Sequence, residues 1–160
     1  MIPVPIIRRS GKKASIIIPI ITLFSLLIPF PAVAIEPVNK TPAGVAIKGY
    51  DPVAYFADGK PQKGRKEFEY VWMGAKWHFA GAKHRGLFIR SPEKYAPQYG
   101  GYCAYAVSRG TIADIDPEAW DIVDGRLYLN LSKKIRDQWS KDIPGNIKRA
   151  NANWPIIIKR

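Results

Sequence analysis

The stretch "WDIVDGRLYLN", Trp120 to Asn130, constrains the fold most. Two short runs of β-branched, aromatic and leucine residues flank Asp124-Gly125. Asp-Gly readily adopts the two positive φ values that a two-residue hairpin turn demands, so Trp120–Val123 and Arg126–Asn130 are expected to pair as antiparallel strands. Residues 67–80, "EFEYVWMGAKWHFA", repeat the device. Phe68, Tyr70 and Trp72 alternate with Glu67, Glu69 and Val71, and past Met73-Gly74 the residues Trp77 and Phe79 alternate with Lys76 and His78. This period of two predicts one aromatic face toward the core and one mostly polar face, with His78 pointing to solvent.

Short helices fill the intervals. Residues 35–47 read as an extended lead-in. Asp51-Pro52 reads as an N-cap followed by proline at the first helical position, with a short helix through Phe56 and a turn at Asp58-Gly59. Residues 82–89 have a helical pattern that turns Leu87 and Phe88 inward. Ser91-Pro92-Glu93 repeats the cap-plus-proline device for a helix ending near Tyr95. Gly100-Gly101 leads into a helix from Tyr102 to about Ser108, and Asp116-Pro117-Glu118 restarts the chain after a loop. Ser132 caps a helix over 133–142 with Ile135 and Trp139 on its inner face. Pro144-Gly145 breaks it, and a basic helix follows over 146–154. Helices interleaved with two hairpins make the expected class α+β: two antiparallel hairpins with short helices packed on them.

The first 34 residues are expected to be removed. Arg8, Arg9, Lys12 and Lys13 precede the apolar run Ala14–Phe30, and Ala32-Val33-Ala34 offers small residues for cleavage, which is the order of a secretory signal peptide. The run falls short of a comfortable membrane span and contains Pro19 and Pro29, so an uncleaved anchor is the weaker reading. The mature chain would be one domain, residues 35–160, periplasmic or secreted, with no transmembrane segment. With one cysteine it has no internal disulfide, and a lone cysteine in an oxidising compartment is shielded, paired with another molecule or chemically used.

Charge is unevenly spread. The whole chain carries +12. Residues 35–132 hold 13 basic and 11 acidic residues, whereas residues 133–160 hold eight and two. The basicity therefore belongs to the C-terminal segment, whose tip is the basic helical stretch 145–160. No nucleic-acid-binding motif accompanies it, which speaks against nucleic acid. An anionic membrane surface or an acidic protein suits residues 133–160 better, and a solvated helical face is the plain alternative.

The motifs "GYDPVAYF", "YVWMGAKWHFAGAKHRGLFIRSPEKYAPQYGGYCAYAVSRG", "DPEAWDIVDGRLYLNLSKKIRDQW" and "DIPGNIKRANANWP" together resemble the YHS-domain family in its exported bacterial branch, which includes selenoproteins. The resemblance covers roughly residues 44–155. It implies a small treble-clef-like core with C-terminal helices and a metal-related or redox role. Where metal-binding members carry cysteines, this chain has Ala54, Ala80 and His84, so most of that soft-metal site is missing.

Three residue types remain for chemistry. Cys103, in "QYGGYCAYA", is expected near the first turn of a helix, where unpaired N–H groups favour a thiolate. Its tyrosine and alanine neighbours equally suit an inert, buried thiol. His84 could serve as ligand or base beside it, or sit on an exposed helix face between Lys83 and Arg85. Cys103, His84 and Asp51 together could hold a copper or zinc ion. The functional expectation is an exported binding module for a metal ion or partner, centred on Cys103. The alternatives are a thiol-dependent oxidoreductase using Cys103 with His84, and a structural domain with a basic, membrane-facing tail. H-E-x-x-H, C-x-x-C, phosphate-loop and G-x-S-x-G patterns are absent from the sequence.

Overall fold

The computed structural model describes residues 35–160. The expected leader, residues 1–34, lies outside them. The elements follow the order α1 (Ala54–Ala57), β1 (Arg65–Trp72), β2 (Ala75–Phe79), α2 (Ala82–Arg90), α3 (Pro92–Tyr95), α4 (Ala104–Ser108), β3 (Asp116–Val123), β4 (Arg126–Asn130), α5 (Lys133–Ser140) and α6 (Ile143–Ile157). The described chain is α+β, with two separate two-stranded antiparallel sheets, β1–β2 and β3–β4. Among the described residues no helix is long and apolar enough to cross a membrane.

Both hairpins turn through two residues of positive φ, Met73-Gly74 and Asp124-Gly125, the geometry whose twist matches that of paired strands. Tyr70 faces Trp77 and Glu69 faces His78 in the first sheet; Trp120 faces Leu129 in the second. Phe88 of α2 is the hub of the first sheet's packing. Its ring lies 5.1–6.4 Å from those of Tyr70, Trp72, Trp77 and Phe79. Helix α1 joins the two halves, because Tyr55 donates its hydroxyl to Pro117 O at 3.0 Å and meets Trp120 edge-on at 5.2 Å. A second apolar cluster gathers Tyr99, Val107, Tyr128, Trp139, Ala150 and Ile157 under α5 and α6.

Several expectations are corrected. Pro144-Gly145 does not break a helix but opens one. Asp142 caps α6 by accepting from Gly145 N at 3.0 Å, and proline is tolerated in a first turn, where its missing N–H would have no partner. The C-terminal helix therefore runs from Ile143 to Ile157. Gly100-Gly101 belongs to a tight turn rather than a helix entry, and α4 starts two residues late, at Ala104. Asp116–Glu118 is already strand. The lead-in makes isolated bridges, Lys40 with Ala46 and Val45 with Lys76.

Two left-handed turns, Ile47–Gly49 and Tyr99–Gly101, press against each other. Asn39 ties them: its N–H donates to Gly100 O, its carbonyl accepts from Ile47 N, and its side-chain amide donates to Gly101 O. Gly101 has φ +80, and a Cβ there would stand 2.6 Å from Ile47 Cγ2.

Candidate functional site

Asp51 is fully buried at the start of α1. A carboxylate can occupy such a place only when its oxygens are satisfied. Oδ1 accepts from Val53 N at 2.8 Å and Ala54 N at 3.3 Å, which holds the turn that leads into the short helix, whose N-cap is Val53 rather than the expected Asp51. Oδ2 accepts from Ala80 N at 2.8 Å, beyond the end of β2, and from His84 Nδ1 at 2.7 Å. One carboxylate thus fastens α1, β2 and α2.

Helix α2 brings His84 to that carboxylate. His84 and Phe88 are i,i+4 on one helical face, so Phe88's seat among the hairpin aromatics aims the imidazole at Asp51. The His84 side chain is 14% exposed, which corrects the expectation of an exposed face. Because Nδ1 faces a carboxylate, Nδ1 bears the hydrogen, and in the neutral ring Nε2 presents its lone pair. Nε2 points toward Asp58 Oδ2, 3.7 Å away at the C-terminal end of α1. Asp58 Oδ2 also accepts from Gln62 Nε2 at 2.7 Å. The result is a row: buried carboxylate, oriented imidazole, partly exposed carboxylate.

Cys103 is not part of the row. It is 1% exposed within the first apolar cluster. Its backbone N–H donates to Ala113 O, and its thiol points to Asn130 Oδ1 at 3.7 Å. Asn130 Oδ1 also accepts from Tyr105 N, which fixes the amide's orientation and leaves its buried Nδ2 without a partner. Among the described residues no three of His, Cys, Asp and Glu come together as a metal-holding group. The expected set of Cys103, His84 and Asp51 is therefore only two-thirds assembled: Asp51 and His84 meet, and Cys103 stands apart. The physical reason is composition. Alanines and tyrosines around Cys103 draw it into the core, whereas Asp51 is drawn in by backbone donors.

His78 was expected in solvent. Its Nε2 lies 3.1 Å from Glu69 Oε2, across the pair that β1 and β2 form at those positions, and its side chain is mostly covered. Gly64 allows this, since a Cβ there would fall 2.3 Å from the His78 backbone carbon. Asp58 is the residue that sequence reasoning missed. It read only as a turn former, yet it ends the same four-residue helix that Asp51 begins. A helix of one turn keeps both ends close to one neighbour, and that signal could have found it.

Set beside models of known families, curated proteins and solved structures, the chain matches none of the three.

Proposed function

We propose that the chain is an exported YHS-type binding module without catalytic activity, and that His84 is its chemical centre. The observation that carries this reading is the 2.7 Å bond from His84 Nδ1 to the buried Asp51 carboxylate, with Nε2 turned toward Asp58. An imidazole that gives one nitrogen to a carboxylate and presents the other is the arrangement of metal-ligating histidines, where the carboxylate fixes the ring and raises its basicity.

The donor set decides which ion fits. His84 Nε2 and an Asp58 oxygen are nitrogen and oxygen donors, with no thiolate beside them. That chemistry suits Zn(II) or Cu(II) and disfavours Cu(I). Asp51 is committed on the far side of the ring and cannot ligate. Two protein donors are fewer than the three or four of a closed zinc site. A self-contained structural zinc centre therefore does not fit, and an open site does, completed by water or by a partner's side chains.

Isothermal titration of the mature protein with Zn(II) and Cu(II) tests the reading. One equivalent should bind, His84→Gln should abolish binding, Asp58→Asn should weaken it, and His78→Gln should leave it unchanged. Absence of binding up to about 1 mM, a free energy near −4 kcal/mol, would end the proposal. So would wild-type affinity in His84→Gln.

The basic segment 133–160 supports a second element of the reading. Its excess of cations suits an anionic partner, either a lipid surface or an acidic protein.

A further inference from the structure

The tip of the first hairpin, the segment Pro97–Gly100 and the last turns of α6 enclose an apolar groove. Pro37, Trp72, Met73, Pro97, Trp154 and Ile158 line it. It continues past Trp72, Pro97 and Trp154 into a more polar mouth with Glu93, Gln98 and Asn151. Met73 and Ile158 are 54% and 37% exposed, although both are large apolar side chains. A contiguous exposed apolar patch on a small domain marks a place of contact.

We infer that this groove is the face by which the protein lies on an anionic lipid surface, with Met73, Trp154 and Ile158 entering the interface. The inference rests on the reading that the basic C-terminal segment meets an anionic partner, and it names the partner and the residues.

Charge complementarity selects lipid. Lys159 and Arg160 follow Ile158 directly. Lys40, which reaches the hairpin tip by donating to Gly74 O at 3.3 Å, is paired with Glu36 at 2.9 Å, so that pair adds no net charge and the cations at this face are Lys159 and Arg160. Apolar side chains and tryptophan with lysine and arginine beside them form the pattern of an interfacial anchor, in which the apolar part sits at the headgroup boundary and the cations take anionic headgroups.

Co-sedimentation of the chain from Ile35 onward separates the outcomes. Vesicles of phosphatidylcholine alone are compared with phosphatidylcholine–phosphatidylglycerol vesicles. The wild type should bind the anionic vesicles. Met73→Asp with Ile158→Asp, both at exposed positions, should lower the partition coefficient about tenfold while near-ultraviolet circular dichroism is unchanged. Quenching of tryptophan fluorescence by brominated acyl chains should fall in Trp154→Phe. If the Asp variant binds as the wild type does while Lys159→Gln with Arg160→Gln loses binding, the groove inference is overturned and the charge reading stands. If the wild type binds neither vesicle, the lipid inference is overturned and the charge reading is left with an acidic protein. If vesicle-free protein forms dimers that the Asp variant abolishes, the groove is an interface between copies and the lipid inference is overturned.

Discussion

His84 and Asp51, 33 residues apart in sequence, are joined by a 2.7 Å hydrogen bond between an imidazole nitrogen and a carboxylate with no solvent exposure. The bond is at once a staple between α1 and α2 and the device that turns His84 Nε2 outward. Stability and site geometry are therefore coupled through one side chain.

That coupling sets the cost of Asp51→Asn. The amide oxygen can keep the Val53 and Ala54 donors, but its NH2 would face the N–H groups of Ala80 and His84. Two charge-assisted bonds are lost in a buried place, so stability to urea should fall by about 3 kcal/mol. His84→Gln, which can still donate to Asp51, should cost about 1 kcal/mol. His78→Gln, which loses a partly exposed pair with Glu69, should stay within about 1 kcal/mol of wild type.

Cys103 should behave as a core residue. In the native protein its thiol should resist iodoacetamide and should react fully once the chain is unfolded in urea. Cys103→Ala should fold with a loss of about 1 kcal/mol, the scale for removing a small buried group. Rapid labelling of the native thiol would restore the thiol-dependent alternative.

Three glycines should rank by what surrounds them. All have positive φ, so each alanine variant carries about 1 kcal/mol of backbone strain. Gly125→Ala meets nothing within 4 Å and should cost only that. Gly101→Ala also meets the Ile47 side chain, which must shift, and should cost about 2–3 kcal/mol. Gly100→Ala would put a Cβ 1.9 Å from the Pro37 carbonyl oxygen, a backbone atom that cannot turn aside, and should cost the most. Chemical denaturation of the three variants checks the order.

Alkali should unfold the protein before its buried tyrosines ionise. Burial, reinforced by neighbouring Tyr128, holds the Tyr99 phenol well above its ordinary value of 10.0. Burial does the same to Tyr55, reinforced by Tyr50 and nearby carboxylates. A raised phenol keeps its proton in the folded state, so its contribution is complete below pH about 10 and is lost as pH climbs from there toward the folded value. Absorbance at 295 nm should then show the last tyrosines titrating together with loss of near-ultraviolet circular dichroism.

The two hairpins were legible because the sequence signal and the structural cause are the same: Met73-Gly74 and Asp124-Gly125 take positive φ and side chains alternate on either side. Ser132 was legible likewise, since its hydroxyl accepts from Ile135 N at the start of α5. Pro144-Gly145 misled because proline both ends and begins helices, and only the Asp142 cap decides between them. At the site, Asp51 and His84 were visible as residue types, but their meeting depends on Phe88 docking α2 against the first hairpin, a contact no local pattern encodes. The misplaced weight fell on Cys103, where glycines and a helix start resembled a thiolate site and the surrounding side chains made a core.

The most direct test of the account is the imidazole nitrogen spectrum of His84, read by long-range nitrogen–proton correlation near neutral pH with and without Zn(II). The account expects the hydrogen on Nδ1, and a shift confined to Nε2 of His84 when the ion is added, with His78 unmoved. An Nδ1 without a hydrogen, or a His84 spectrum that Zn(II) leaves unchanged up to about 1 mM, would contradict it.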